Sequence, residues 1–326
     1  LDERLTGNFG VRVVDTKQTT HGIAPDFTAI TYQPDAGALI TIPAGGPTSV
    51  TRRYTDILPS LNMSYELDYD LIARFSASRT IARPSLAQIS PSTTASNVPP
   101  TINKNNPYLD PFRSNNVDAT LEWYFDAGSI VSATIFQKEL VSLIESESNN
   151  EDLDIIEISS DGSQRPITEE FIVNTLKNGD GVNLKGVELT FQHNFADLPG
   201  FLSNMGTLVN YTYIDNSEPD KVTGSSRNNF NLSGYYEGDA LSVRLSYTWR
   251  DKFLLSAGAQ ERFGRYINAS GILDGNISYD VSENVSVVLE AINLLDEAST
   301  SVDGNGYPAI YEDNGRRLMF GVKASF

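Results

Sequence analysis

Twelve segments of this chain alternate apolar and polar residues with a period of two, and the connections between them are in turn long and short. In Leu241–Arg250 the odd positions carry Leu, Val, Tyr and Trp, whereas the even positions carry Ser, Thr and Arg. Such alternation places one set of side chains on each face of a β-strand. The predicted strands are Asn8–Asp15, Ile57–Leu67, Leu71–Thr80, Val117–Phe125, Ser129–Leu143, Val187–Phe195, Thr207–Ile214, Phe230–Glu237, Leu241–Arg250, Ile272–Val281, Val285–Ala291 and Arg316–Phe326.

Three connections are long, near Lys17–Val50, Pro84–Asn115 and Glu145–Val182, and each is followed by a strand that ends in a short turn. A compact soluble domain rarely contains three such loops. Outer-membrane barrels combine long extracellular loops with short periplasmic turns. The pattern therefore predicts an all-β fold, an antiparallel transmembrane β-barrel. A helical turn is expected only near Glu169–Leu176.

The C-terminal segment Arg316–Phe326 alternates strongly and ends on an aromatic residue. An exposed edge strand of this kind in a soluble sheet is prone to aggregation. In a closed membrane barrel the last strand pairs with the first, and its apolar face meets lipid. On this segment alone, a C-terminal strand of a soluble sheet stays an alternative.

Composition narrows the classes of protein further. The chain lacks the run of roughly 18 apolar residues that a membrane-spanning helix requires. It has no cysteine, which excludes disulfides and thiol catalysis. A net charge of -18 argues against nucleic acid as a partner. The sequence begins at Leu1, so either a signal peptide has been removed or the chain is the C-terminal part of a longer protein. The second interpretation is favoured, because the sequence begins as though already within a strand.

Six segments, in order, resemble TonB-dependent outer-membrane receptors, closest to the type common in Caulobacter- and Xanthomonas-like bacteria. The ordered series, rather than any single motif, carries the resemblance. The segments are LPSLNMSYEL (Leu58–Leu67), LIARFSASRTIARPSL (Leu71–Leu86), NPYLDPFRSNNVDATLEWYF (Asn106–Phe125), LKGVELTFQHNFADLPG (Leu184–Gly200), LVNYTYIDN (Leu208–Asn216) and LEAINLLDE (Leu289–Glu297).

The resemblance implies a barrel of about 22 strands filled by an N-terminal plug domain. It also implies import of a scarce nutrient, carbohydrate or siderophore-like, with TonB-coupled energy. Residues 1–326 supply about twelve strands and no segment that resembles a plug, so they are interpreted as the C-terminal part of the barrel domain. Implied partners are outer-membrane lipid and lipopolysaccharide, the TonB system through the plug, the barrel-assembly machinery and a small-molecule or oligosaccharide ligand. The implied location is the cell outer membrane.

Two alternatives stay open. One is a self-contained twelve-stranded outer-membrane barrel such as an autotransporter translocator. The other is a soluble β-rich binding protein.

Candidate site residues follow from the strand faces and loops. The assembly-signal candidates are Phe320, Val322 and Phe326. The ligand-loop candidates are Tyr108 and Phe112, at the Pro-rich loop Pro99–Pro111. Aromatic residues at short turns, including Trp123, Tyr124 and Tyr235, are expected to form an interface girdle. The lumen-facing candidates, which would contact the plug or line the path, are Arg12, Arg74, Glu122, Glu188, Arg244 and Glu290.

No catalytic, cofactor or metal residues are predicted, and the protein is not expected to be an enzyme. A Ser–His–Asn hydrolase needs these groups together on one face. The sequence places neither Ser203 nor another Ser beside His193, so a packing role is expected for His193. Segment Glu145–Val182 carries ten acidic and two basic residues. A Ca²⁺ site or attraction of a cationic ligand is one interpretation, and a solvated loop bridged to lipopolysaccharide by divalent ions is the favoured one.

Overall fold

A computed structural model describes residues 3–36, 39–97, 100–258 and 264–325, whose strands are numbered β1 to β22 in chain order. Twelve strands form one antiparallel sheet, which we call the main sheet. They are arranged in chain order, so each strand pairs with the strands of this sheet that precede and follow it along the chain. These strands are β1 (Leu5–Pro25), β4 (Ala44–Asp68), β5 (Leu71–Ala82), β8 (Phe112–Asp126), β9 (Ser129–Leu140), β12 (Val182–Asn194), β13 (Met205–Asn216), β14 (Asn228–Glu237), β15 (Leu241–Arg250), β18 (Ser270–Ser282), β19 (Val285–Ile292) and β22 (Arg317–Ala324). All twelve predicted strands are present, which confirms the all-β antiparallel fold.

The main sheet has a short-turn end and a long-loop end. Two residues join β4 to β5, and two join β8 to β9, at the short-turn end. At the opposite end β1 and β4 extend well past their predicted bounds and pair from Leu5 with Tyr65 as far as Pro25 with Ala44. Much of the predicted loop Lys17–Val50 is therefore strand, as its Thr, Val and Ile content allows.

The three long connections contribute a second sheet of six strands at the long-loop end. Its order is β3 (Leu39–Thr41), β2 (Thr31–Gln33), β10 (Ile144–Ile158), β11 (Gln164–Asn178), β7 (Pro100–Lys104) and β6 (Thr93–Asn97). Strand β10 pairs in parallel with β2, and β11 pairs in parallel with β7. The sheet encloses a buried core that includes Ile30, Ile155, Phe171 and Val173.

The helical turn expected at Glu169–Leu176 is wrong, because this segment lies inside strand β11. Phe171 and Val173 alternate into the core of the six-stranded sheet, and pairing with β10 and β7 satisfies the backbone. Tertiary pairing thus overrides the local pattern.

A third sheet contains β16 (Phe253–Ser256), β17 (Arg265–Ile267), β20 (Ser299–Asp303) and β21 (Pro308–Glu312). Short 3-10 helices occupy Pro34–Ala36 and Gly200–Asn204. Within the described residues, no helix has the length and apolar character needed to cross a membrane.

The two faces of the main sheet differ in chemistry. Paired positions share a face, and one row of pairs runs from Ser64 through Arg74, Thr120 and Thr134 to Glu188. We call the face that carries this row the polar face. The opposite, apolar face exposes large side chains on almost every strand, among them Val13, Phe75, Ile135, Leu245 and Phe320. A surface of this extent is typical of lipid contact.

Strands β1 and β22 form the two edges of the main sheet. Within the part of the chain that the structure describes, no ladder joins them. A self-contained barrel predicts that the first and last strands pair. The autotransporter-like alternative is therefore not favoured.

Candidate ligand-binding and lumen-facing sites

All six lumen-facing candidates lie on the polar face of the main sheet. Along each strand, a residue that is an even number of positions away from the residue in the row of Arg74 and Glu188 lies on the same face as that row. They are Arg12, Arg74, Glu122, Glu188, Arg244 and Glu290. Their contact with a plug domain stays a prediction.

Arg74 and Glu122 form the best-defined polar contact of this face. Arg74 Nε donates to Glu122 Oε2 at 3.0 Å, and the Tyr124 hydroxyl donates to the same oxygen at 2.9 Å. Ser76 Oγ donates to Asp118 Oδ2 at 3.0 Å nearby. Arg74, Ser76 and Asp118 border a depression of about 560 Å³ over β1, β4, β5 and β8. The result is a hydrogen-bonded wall of fixed charges near the short-turn end.

A second polar row crosses β14, β15, β18 and β19. Tyr235 pairs with Arg244, Arg244 with Asn276, and Asn276 with Glu290. The Arg244 guanidinium carbon lies 5.4 Å from the centroid of the Tyr235 ring, a cation–π distance. On this row the neutral side chain of Asn276 therefore lies between the opposite charges of Arg244 and Glu290.

The girdle expectation is wrong for two aromatic residues. Tyr124 bonds to Glu122, and the Tyr235 hydroxyl donates to Asn194, so both lie on the polar face. Adjacent strand residues point to opposite faces, and Trp123 therefore lies on the apolar face while Tyr124 does not.

The loop that carries Tyr108 is anchored by polar contacts at both of its ends. Asn106 Oδ1 accepts the Tyr108 N–H at 2.8 Å, and Asn106 Nδ2 donates to the Leu176 carbonyl of β11 at 2.8 Å. Arg52 of β4 donates to the Leu109 carbonyl at 2.7 Å and pairs with Asp110 at 2.9 Å.

These anchors leave the Tyr108 ring free to act as a contact surface, since the side chain is 63% exposed. Phe112 begins β8 opposite Ala82, which places it on the polar face. Within the described residues, no ring contact joins Tyr108 to Phe112, so the structure does not bring the two candidates together. Their role in ligand binding stays a prediction.

The acidic segment is an antiparallel hairpin, β10–β11, rather than an irregular loop. Some of its carboxylates contact cations: Lys177 contacts Glu147 at 2.7 Å, and Lys221 contacts Glu145 at 3.2 Å. The hydrogen bond that Lys177 donates to Glu147 raises the pKa of Lys177 above its ordinary value. Within the described residues, no three acidic or His side chains are grouped to hold a metal ion.

Sequence reasoning missed a basic pocket at the long-loop end. A cavity of about 330 Å³ is lined by Arg227, Lys252, Tyr266 and Asp220, among others. The Lys252 ammonium lies 4.6 Å from the centroid of the Tyr266 ring, and the Tyr266 hydroxyl donates to Asp220 at 2.5 Å. Two separate connections, β13–β14 and β15–β18, build the pocket, so no local motif marked it.

The expectation that no Ser lies beside His193 is wrong. His193 Nδ1 and Ser129 Oγ are 2.9 Å apart, and Ser129 is buried. The ring also packs edge-on against Phe195, with centroids 4.8 Å apart. Ser129 follows the β8–β9 turn, which brings it beside β12. These contacts are those of a packed imidazole.

The assembly-signal candidates lie on the final strand. Phe320 and Val322 are on the apolar face and are exposed. Phe326 lies outside the described residues. Recognition of this strand by the assembly machinery stays a prediction.

A sequence model described as TonB dependent receptor-like, beta-barrel, matches residues 1–294. The chain belongs to this family of TonB-dependent receptors. The family is a class of outer-membrane receptors and transporters rather than enzymes. No sequence among curated proteins matches the chain significantly.

Solved receptor structures share the fold of this TonB-dependent receptor chain. It is 19% identical to a mutant of the ferric enterobactin receptor PfeA from Pseudomonas aeruginosa, with a TM-score of 0.62, over 86% of this chain and 42% of that one. For the ferric-catecholate import receptor Fiu from E. coli K12 the values are 15%, 0.63, 99% and 43%. For the siderophore receptor PirA from Acinetobacter baumannii they are 16%, 0.63, 85% and 42%. The chain thus spans less than half of each of these receptors.

Proposed function

We propose that residues 1–326 are the C-terminal part of the barrel of a receptor that imports a scarce nutrient with TonB-coupled energy. The observation that carries the proposal is the main sheet itself. One face is apolar and exposed, the other is charged, and the two edge strands stay apart. In the complete protein, further strands would join β1 to β22, and a plug domain would fill the lumen.

The ligand would bind at the long-loop end. Support comes from the six-stranded sheet, whose own core holds three long connections in fixed positions. Tyr108 and Phe112 would contact the ligand from this end, and the charged polar face would line the path or contact the plug. Lipopolysaccharide would meet the acidic hairpin through divalent ions.

The proposed ligand is a carbohydrate or a siderophore-like compound. Uptake is measured in cells that carry the full-length receptor, with and without functional TonB, for a ferric catecholate siderophore and a set of oligosaccharides. We expect uptake of one of these classes that is lost without TonB. Uptake that continues without TonB would contradict the proposal.

A matched pair of loop variants tests the ligand surface. We expect Tyr108→Ala to weaken ligand binding by the receptor about tenfold, since a stacked aromatic contact contributes roughly 1–3 kcal/mol. Tyr307→Ala, an exposed Tyr in another loop, serves as the control. Equal binding by both variants would remove Tyr108 from the site.

Recognition of the final strand by the assembly machinery is tested on its two faces. We expect Phe320→Ser to lower the amount of folded receptor in the outer membrane. Met319→Ser, on the polar face of the same strand, should leave that amount close to normal. Equal loss in both variants would show that the apolar face carries no signal.

A further inference from the structure

A groove of about 440 Å³ opens on the apolar face of the main sheet near its short-turn end. Cross-strand pairing explains its shape. Leu71 lies opposite Trp123. Leu121 lies opposite Ala133, whose side chain is small. The lining residues are Asp68, Asp70, Leu71, Leu121, Trp123, Val131 and Ala133.

The apolar lining is open to the surroundings of the sheet. Leu121 is 45% exposed and Trp123 is 48% exposed. These residues lie on the face that meets lipid, next to the interfacial region at the short-turn end. A hydrocarbon chain is the natural occupant of such a groove.

Two acidic side chains border the same groove at the β4–β5 turn. Asp70 Oδ2 accepts a hydrogen bond from Trp123 Nε1 at 3.1 Å, and Asp68 Oδ1 accepts the Tyr69 N–H at 2.8 Å. Within the described residues, no Lys or Arg forms an ion pair with either carboxylate. Negative charge thus meets the headgroup region without a cation from the protein.

We propose that this groove binds a phospholipid with a primary ammonium headgroup, its acyl chain along Leu121, Trp123 and Val131. The ammonium group lies against Asp68 and Asp70, which disfavour headgroups that carry only phosphate charge. The site is on the outside of the barrel and is separate from ligand passage.

Quenching of Trp123 fluorescence by brominated lipids tests this site. The full-length receptor is placed in phosphatidylcholine vesicles with brominated phosphatidylethanolamine or brominated phosphatidylglycerol. The Trp123 signal is the difference between the unaltered receptor and Trp123→Phe. We expect the content of brominated phosphatidylethanolamine that quenches half of the Trp123 signal to be about threefold lower than that of brominated phosphatidylglycerol. A difference of this size is in line with one exposed charge pair.

The variants separate headgroup recognition from folding. The double variant Asp68→Asn, Asp70→Asn keeps the acceptor for Trp123 Nε1 and should abolish the preference. Asp239→Asn, at the β14–β15 turn, should preserve it. Equal quenching by both lipids, a preference for phosphatidylglycerol through divalent ions, or a preference unchanged in the double variant would overturn the proposal.

Discussion

A charge placed on either face of β15 distinguishes lipid contact from water contact. Leu245 is 49% exposed, and its cross-strand neighbours are Gly234 and Gly275, so it packs on little protein. In water, Leu245→Arg would therefore cost under about 0.5 kcal/mol. In lipid, an Arg near the bilayer midplane costs about 2–4 kcal/mol. The folding equilibrium constant should then fall about 30- to 1000-fold.

Ser246→Arg is the matched control on the polar face. It removes the contact between the Ser246 and Ser233 hydroxyls, 2.8 Å apart, which is worth about 1 kcal/mol. Full-length receptor variants are folded into phospholipid vesicles and titrated with urea, and the folded fraction is read from gel mobility without boiling. A Leu245→Arg variant as stable as the unaltered receptor would refute the assignment of the apolar face to lipid.

Three further predictions concern packing and pH. Phe171→Ala should destabilise the six-stranded sheet by about 3–5 kcal/mol, seen as proteolysis within β10–β11 while the main sheet stays folded. Gly186→Val should lower the free energy of unfolding in the urea titration by at least about 1–3 kcal/mol, because an added Cβ would meet the Phe136 ring and the Tyr213 carbonyl. Gly321→Ala should be nearly neutral, since the space around Gly321 is open. Hydrogen bonds from Ser163 lower the pKa of Asp161 below its ordinary value of 3.8, so this turn loses stabilisation as the pH falls through the folded pKa. With pepsin, across its acidic working range, cleavage there should rise towards that of Asp161→Asn, which should be cleaved faster than the unaltered receptor above that pKa.

The strands of the main sheet could be predicted because their signal is local. An alternation such as that of Leu241–Arg250 reports only that two environments flank a strand, and each strand pairs with the next one in sequence. The six-stranded sheet could not be predicted in this way. Its parallel ladders join Tyr32 to Glu157 and Ile102 to Val173, and no local pattern encodes pairs so distant in sequence.

The sites show the same division. The faces on which Arg74 and Glu188 lie could be predicted, because each follows from the alternation along its own strand. The basic pocket around Lys252 and Tyr266 and the contact between Ser129 and His193 required three-dimensional placement of separate segments. The misplacement of Tyr124 arose because proximity to a turn was given more weight than strand parity.

The intact mass of the mature protein extracted from outer membranes tests the central claim most directly. Taking 35.7 kDa as 42% of the whole, as in the solved receptors, we expect a mass of about 85 kDa, enough for a plug and the missing strands. A mass near 35.7 kDa would mean that twelve strands close on themselves, and the account of a partial receptor barrel would be wrong.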